Sequence, residues 1–96
     1  MDAYVFLGEY LAPLETVDAA RPLHRAWLAT LQDAGQLVLA GRRLSETGAV
    51  IVVLAESEAD ARLMAAADPY VEGGLARYDV IAFEAARWGT APPHAL

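Results

Sequence analysis

The chain has 96 residues, a formal net charge of −6 and no cysteine. Its length predicts one domain, the lack of cysteine excludes disulfides and thiolate chemistry, and the negative charge argues against binding to nucleic acid or to an anionic membrane. The longest purely apolar run, residues 49–55, is far shorter than the ~20 residues of a membrane span, and the chain does not open with a signal-peptide pattern. We therefore expect a soluble, cytoplasmic protein.

Four segments have the apolar patterns of strands. The first is rich in aromatic and aliphatic residues and closes before Pro13, and the third is apolar throughout. The second and third are separated by a short polar loop, so we expect them to pair as a hairpin. The predicted strands cover residues 3–11, 36–41, 49–55 and 77–86.

Two helices separate these strands. In the first, Pro22 is tolerated only near the first turn, so the regular body is expected to begin at about residues 19–22, with Thr16 or Asp18 as the N-cap. Gly35 is a good C-terminal stop. Ser57 is expected to cap the second helix, which continues to residue 67, and residues 69–74 read as one short turn.

The element order β-α-β-β-α-β predicts an α+β, ferredoxin-like fold with an antiparallel sheet and helices on one face. The first and third strands are apolar on both sides, and 56% of the chain is hydrophobic. Because no further helix is available to cover the second face, we expect a homodimer formed through the sheet. Residues 1–87 form the predicted domain, and residues 88–96, with two consecutive prolines, form a tail.

His24 lies at the centre of the apolar stripe of the first helix, where a helix built only for packing would carry Leu or Ala. At 100° per residue, Arg25 falls on the opposite side of the helix. Pattern alone slightly favours a core histidine bonded to a backbone carbonyl or hydroxyl. The functional alternative has a carboxylate on one ring nitrogen and a cavity beside the other. The residues that share the stripe with His24 are Val17, Ala20, Trp27, Leu28 and Leu31.

Asp68 is the candidate carboxylate. Its position directly before Pro69 is also typical of an N-cap for the following turn, and this interpretation is the more common one. The two roles are compatible, because capping uses only one carboxylate oxygen.

Other chemistries find less support in the sequence. A metal site needs several ligands, and the only other histidine, His94, lies in the tail, so we expect no metal. Arg42 and Arg43 follow the second strand and could hold an anionic small molecule, although charged hairpin loops are often only solvated.

Three segments together resemble the YCII-related, or YciI-like, family. They are residues 21–28 (Arg-Pro-Leu-His-Arg-Ala-Trp-Leu), 35–41 (Gly-Gln-Leu-Val-Leu-Ala-Gly) and 68–75 (Asp-Pro-Tyr-Val-Glu-Gly-Gly-Leu). They occur in the family's order, and the resemblance spans about residues 3–84. Where the family has Gly-Pro after the second strand, this chain has Gly41–Arg42, which changes the rim of the expected pocket.

This resemblance implies a ferredoxin-like domain that dimerises through its sheet, as in dimeric α+β barrel proteins. It also implies a His–Asp pair in a pocket, the family's candidate active site, which corresponds to His24 and Asp68. Some relatives act as chloromuconolactone dehalogenases in the degradation of aromatic compounds, and muconolactone isomerases share the wider fold.

Two classes of function follow. The first is a cofactor-free enzyme in which His24, oriented by Asp68, moves a proton during elimination or isomerisation of a small carbonyl or lactone compound, with Tyr70 or Arg42 as a donor that binds the substrate. The second is a non-catalytic homodimer that binds a small ligand. A cofactor-independent monooxygenase of the dimeric barrel type is a further enzyme alternative.

Overall fold

The computed structural model describes residues 2–89, and its strands form one antiparallel sheet in the order β2-β3-β1-β4. This arrangement confirms the predicted α+β, ferredoxin-like class. The elements are β1 (Asp2–Tyr10), α1 (Leu14–Ala19), α2 (Arg21–Asp33), β2 (Leu37–Arg42), β3 (Ala49–Ala55), α3 (Glu58–Ala66), α4 (Pro69–Glu72) and β4 (Ala76–Phe83).

The helices cover one face of the sheet and enclose the main core there. Phe6 of β1 is paired with Ile51 of β3 and with Val80 of β4, and both Phe6 and Ile51 are completely buried. Trp27 and Leu31 of α2 pack on this face. Each fully buried aliphatic or aromatic side chain contributes about 1.5–3 kcal/mol, so this layer holds α2 firmly over the sheet.

The opposite face of the sheet has no helix in the described part of the chain. On β1 the alternate positions Val5 and Leu7 point there, and their β4 partners are Ile81 and Asp79. Leu7, Ile81 and Phe83 are 38%, 49% and 44% exposed. Around these three residues the face is largely apolar and exposed, as the two-sided apolar strands predicted, whereas near Ala3 it is bordered by residues 84–89.

The first predicted helix is in fact two helices joined at Ala20, and the prediction of its N-cap is wrong. The chain enters α1 from Pro13, with no side-chain cap bond, and enters α2 from Ala20. The carboxylate of Asp18 accepts a hydrogen bond from Arg42 instead of capping a helix. Pro22 does lie in the first turn of α2, as its missing N–H requires.

Most other boundaries follow local chemistry. Gly35 ends α2 with a φ of 73°, which suits a residue without Cβ. The Ser57 hydroxyl accepts a hydrogen bond from the Asp60 backbone N–H at 3.1 Å and caps α3. β3 covers the predicted residues, whereas β4 ends at Phe83, three residues before its predicted end.

The end of the β2–β3 hairpin is held tightly against β1. A Cβ on Gly48 would lie 1.9 Å from the carbonyl oxygen of Gly8, so only glycine allows this approach. The Tyr10 N–H donates to the Thr47 carbonyl at 2.8 Å. These contacts place Arg42, the last residue of β2, beside the end of β1.

Within residues 2–89, no helix is long and apolar enough to cross a membrane. His94 and most of the predicted tail lie outside the described residues.

Candidate functional site

The structure brings His24 and Asp68 together across 44 residues of sequence. His24 Nδ1 lies 2.9 Å from Asp68 Oδ1. α2 carries the histidine over the sheet, and the turn between α3 and α4 carries the aspartate next to that histidine. Asp68 is 0% exposed and His24 is 8% exposed, so the pair lies inside the protein.

Asp68 is both a helix cap and the partner of His24. Its Oδ1 accepts the Tyr70 backbone N–H at 3.0 Å, which caps α4, and the same oxygen meets His24. Its Oδ2 accepts the hydroxyl of Tyr78 at 2.5 Å. Three donors therefore hold the carboxylate in one orientation, which in turn orients the imidazole.

Tyr78 is a part of the site that the sequence analysis missed. It lies on the helix-facing side of β4, opposite Gly8. Burial, followed by the negative charge of Asp68, raises the pKa of Tyr78 far above that of a free phenol. Tyr78 therefore stays protonated and donates to the carboxylate. Its place in the alternating pattern of β4 predicts a core aromatic, but nothing in the pattern predicts its partner.

The hydrogen bond to Asp68 determines the tautomer of His24. A carboxylate only accepts, so Nδ1 carries the hydrogen and the neutral ring has its lone pair on Nε2. Within residues 2–89, Nε2 has no hydrogen-bond partner. Every side-chain nitrogen or oxygen that is buried from solvent in that part of the chain does have a partner, so Nε2 is accessible to solvent. The accessible side of His24 lines a cavity of about 200 Å³.

Tyr70 forms a wall of this cavity and stacks on the imidazole. The two ring centroids are 4.1 Å apart and the planes differ by 6°. This stacking holds the plane of the imidazole against the Tyr70 ring. Burial is the main cause of the raised pKa of Tyr70, which keeps its hydroxyl protonated and able to donate.

Arg42 lies at the rim of the same cavity, held by two partners. Its Nε donates to the hydroxyl of Tyr10 at 3.0 Å, and its NH2 group donates to Asp18 Oδ1 at 2.5 Å. The hydrogen bond from Arg42 is the main reason that the pKa of Asp18 is lowered. The guanidinium has five N–H donors, so several remain for a ligand.

Residues 3–84 match the YCII-related domain. The chain belongs to the YCII-related family. Among solved structures it is similar to 5-chloro-2-hydroxyhydroquinone dehydrochlorinase (TftG) from Burkholderia phenoliruptrix AC1100, in complex with 2,5-dihydroxybenzoquinone. The identity is 20% and the TM-score 0.70, with 95% of this chain and 96% of that chain covered. No curated protein sequence matches this chain significantly.

In this YCII-related domain the four residues singled out from the sequence meet at one place. His24, Tyr70 and Arg42 all line the cavity, and Asp68 lies behind His24. Arg43 is not among the residues that line it. Within residues 2–89, no group of three or more His, Asp or Glu side chains could hold a metal ion.

Two further arginines of the YCII-related domain, Arg21 and Arg25, line the cavity from α2. The helical projection placed Arg25 opposite His24, and the structure corrects this. Successive residues are only 100° apart, and long side chains on a helix lean towards its N-terminus, so the guanidinium reaches the cavity from the flank. Arg21 is three residues before His24, a spacing that shares a helix face and that the sequence could have revealed.

Proposed function

We propose that this YCII-related domain is a cofactor-free acid–base enzyme in which His24 is the general base. The substrate class is a small carbonyl or lactone compound that loses a leaving group or isomerises. The observation that carries the proposal is the position of His24: Asp68 binds Nδ1 at 2.9 Å, and His24 is one of the residues that line a cavity of about 200 Å³. A histidine that served only for packing would have no need of a cavity.

The elimination needs only a proton transfer and a departing group. Nε2 of His24 accepts a proton from an O–H or C–H of the substrate, and the electron pair of that bond forms a new C=O or C=C bond. The leaving group departs with its own bonding pair, and the substrate loses HX overall. Asp68 stabilises the imidazolium, which then returns its proton to solvent.

Tyr70 and Arg42 are the donors that bind the substrate in this proposal. A carbonyl oxygen gains negative charge as the proton leaves, and donors aimed at that oxygen lower the barrier. Tyr70 is one of the residues that line the cavity, and its hydroxyl is protonated. Arg42 is held by Tyr10 and Asp18, so little further ordering is needed when a ligand binds.

The similarity to a dehydrochlorinase supports the choice of the first substrate to test. We expect 5-chloro-2-hydroxyhydroquinone to release chloride in the presence of the purified protein, in proportion to protein concentration. An ion-selective electrode measures the chloride and absorbance measures the quinone, with heat-denatured protein as the control. Chloride release no faster than in that control would contradict dehydrochlorination of this compound. Thermal stabilisation by 2,5-dihydroxybenzoquinone without any turnover would favour a ligand-binding protein instead.

We also propose that two copies associate through the open face of the sheet. Leu7, Ile81 and Phe83 expose an apolar surface there, 38%, 49% and 44% accessible. Contiguous exposed apolar patches on a small domain are typical of an interface. The family resemblance and the two-sided apolar strands support the same face.

Replacing Ile81 by aspartate is expected to convert the proposed dimer to a folded monomer, because a charge would be buried in the interface. Analytical ultracentrifugation at micromolar concentration measures the change. The matched control is Leu63→Asp, since Leu63 is 71% exposed and lies on α3, away from this face. A wild-type protein that sediments as a monomer would rule out the dimer.

A further inference from the structure

The cavity beside His24 has an unusual charge for this protein. The chain has 13 acidic and seven basic residues, all of the latter arginine. Three of the seven, Arg21, Arg25 and Arg42, line this cavity, and no Asp or Glu does. Asp18 balances the charge of Arg42 and Asp68 lies behind His24, so the excess positive charge at this cavity comes from Arg21 and Arg25.

These three arginines differ in what they already bind. Arg42 is paired with Asp18. Arg21 and Arg25 form no salt bridge with any residue in the described part of the chain, whereas Arg62 and Arg77 pair with Glu58 and Glu9. The charges of Arg21 and Arg25 are therefore available to a ligand. Both flank His24 on α2, so an anion held by them lies next to the proposed base.

We propose that Arg21 and Arg25 bind the oxyanion of a single-ring aromatic or quinoid substrate. This inference rests on the proposed function for the chemistry at His24, and it adds the charge and size of the molecule and the residues that recognise it. Arginine suits the task because its planar fork donates two parallel hydrogen bonds to a carboxylate or to neighbouring ring oxygens.

The size and walls of the cavity favour one ring. A cavity of about 150 Å³ admits benzene, and this one, at about 200 Å³, has room for a ring with small substituents. Its other walls include Leu28, Ile51 and the rings of Tyr10 and Tyr70. Flat aromatic and aliphatic surfaces suit a planar ligand, and the arginines then hold its charged edge.

A bound anion changes the charge balance beside His24. It forms ion pairs with Arg21 and Arg25 and offsets their two positive charges. A neutral substrate of the same shape would gain neither effect. The arginines therefore select for charge as well as for position.

Binding measurements on variants that keep the length of the side chain test the inference. Isothermal titration calorimetry would compare Arg21→Gln, Arg25→Gln and the double variant with the wild type. Two matched pairs of an anion and a neutral analogue show which kind of anion binds. Benzoate and benzamide test a carboxylate, and 2,5-dihydroxybenzoquinone and 2,5-dimethoxybenzoquinone test ring oxyanions. Arg43→Gln is the control, because it removes the same charge from an exposed residue that does not line the cavity.

We expect each single variant to weaken binding of at least one of the two anions about tenfold, and the double variant to weaken it further. The neutral member of that pair should bind weakly and equally to all proteins, and Arg43→Gln should change anion affinity less than twofold. An equal loss in Arg43→Gln, unchanged anion affinity in the double variant, or no binding of either anion to the wild type would overturn the inference.

Equilibrium binding separates this inference from the proposed function. Arginine-dependent anion binding without turnover of any bound compound would leave the inference standing and contradict the enzyme. Turnover with a KM unaffected by Arg21→Gln and Arg25→Gln would support the enzyme and contradict the inference about the arginines.

Discussion

His24→Gln is expected to lower kcat for halide release by about 10²–10⁴-fold, the usual contribution of a positioned general base. Glutamine can still donate to Asp68, and it is a good helix former, so α2 and the fold should persist. Its amide, however, cannot accept a proton at neutral pH. Initial rates of chloride release, with circular dichroism and thermal melting on the same samples, measure both effects.

A matched control lies on the same helix. Thr30 is exposed, and its hydroxyl donates only to the Trp27 carbonyl of its own helix. Thr30→Ala should leave the rate within about twofold of wild type, since it touches neither the cavity nor the pair. If His24→Leu raised the melting temperature and retained the activity, His24 would be a packing residue.

The second large effect is expected at Asp68, where two different substitutions distinguish its role in stability from its role in turnover. Asp68→Ala should lower the free energy of unfolding by about 3 kcal/mol, because two buried donors and one part-buried donor lose their acceptor, and a buried donor costs ~1–3 kcal/mol when unpaired. Those donors are His24 Nδ1, the Tyr70 N–H and the Tyr78 hydroxyl. Urea unfolding followed by tryptophan fluorescence gives the difference.

Asp68→Asn tests the charge alone. The amide oxygen can still accept from Tyr70 and His24, and the amide N–H can donate to the Tyr78 oxygen, so most of the stability should remain. It cannot balance an imidazolium, and we expect kcat to fall about 10²–10⁴-fold. Tyr78→Phe is the control: it removes one donor, keeps the carboxylate, and should cost about 1 kcal/mol with a rate loss below tenfold. Wild-type turnover in Asp68→Asn would show that Asp68 serves only as a helix cap.

Much of the fold was accessible from local patterns. The bounds of β3, the stop at Gly35 and the cap at Ser57 depend on periodicity and on contacts within a few residues, which a sequence displays directly. The break at Ala20 was not predicted, because the apolar stripe runs from Val17 through Leu31 as though one helix carried it. Two short helices on the same surface can share such a stripe.

The errors have long-range causes. Asp18 resembles an N-cap, but a guanidinium 24 residues later binds its carboxylate. Arg25 was placed opposite His24, but it is only 100° away on the helix, and its long side chain lines the cavity. Tyr78 was missed, because only the packing of β4 against Asp68 makes it a donor to that carboxylate.

By itself the sequence determined the order of the elements, the apolar sheet and the anomaly of a histidine on a packing stripe, because these depend on side-chain chemistry at spacings of two to four residues. It also showed that Asp68 could cap a helix. Only the tertiary structure decided that the capping oxygen meets His24, that Tyr78 holds the other oxygen and that three arginines share one cavity. These contacts join residues up to 44 positions apart, and their distances depend on how α2 and α4 pack over the sheet.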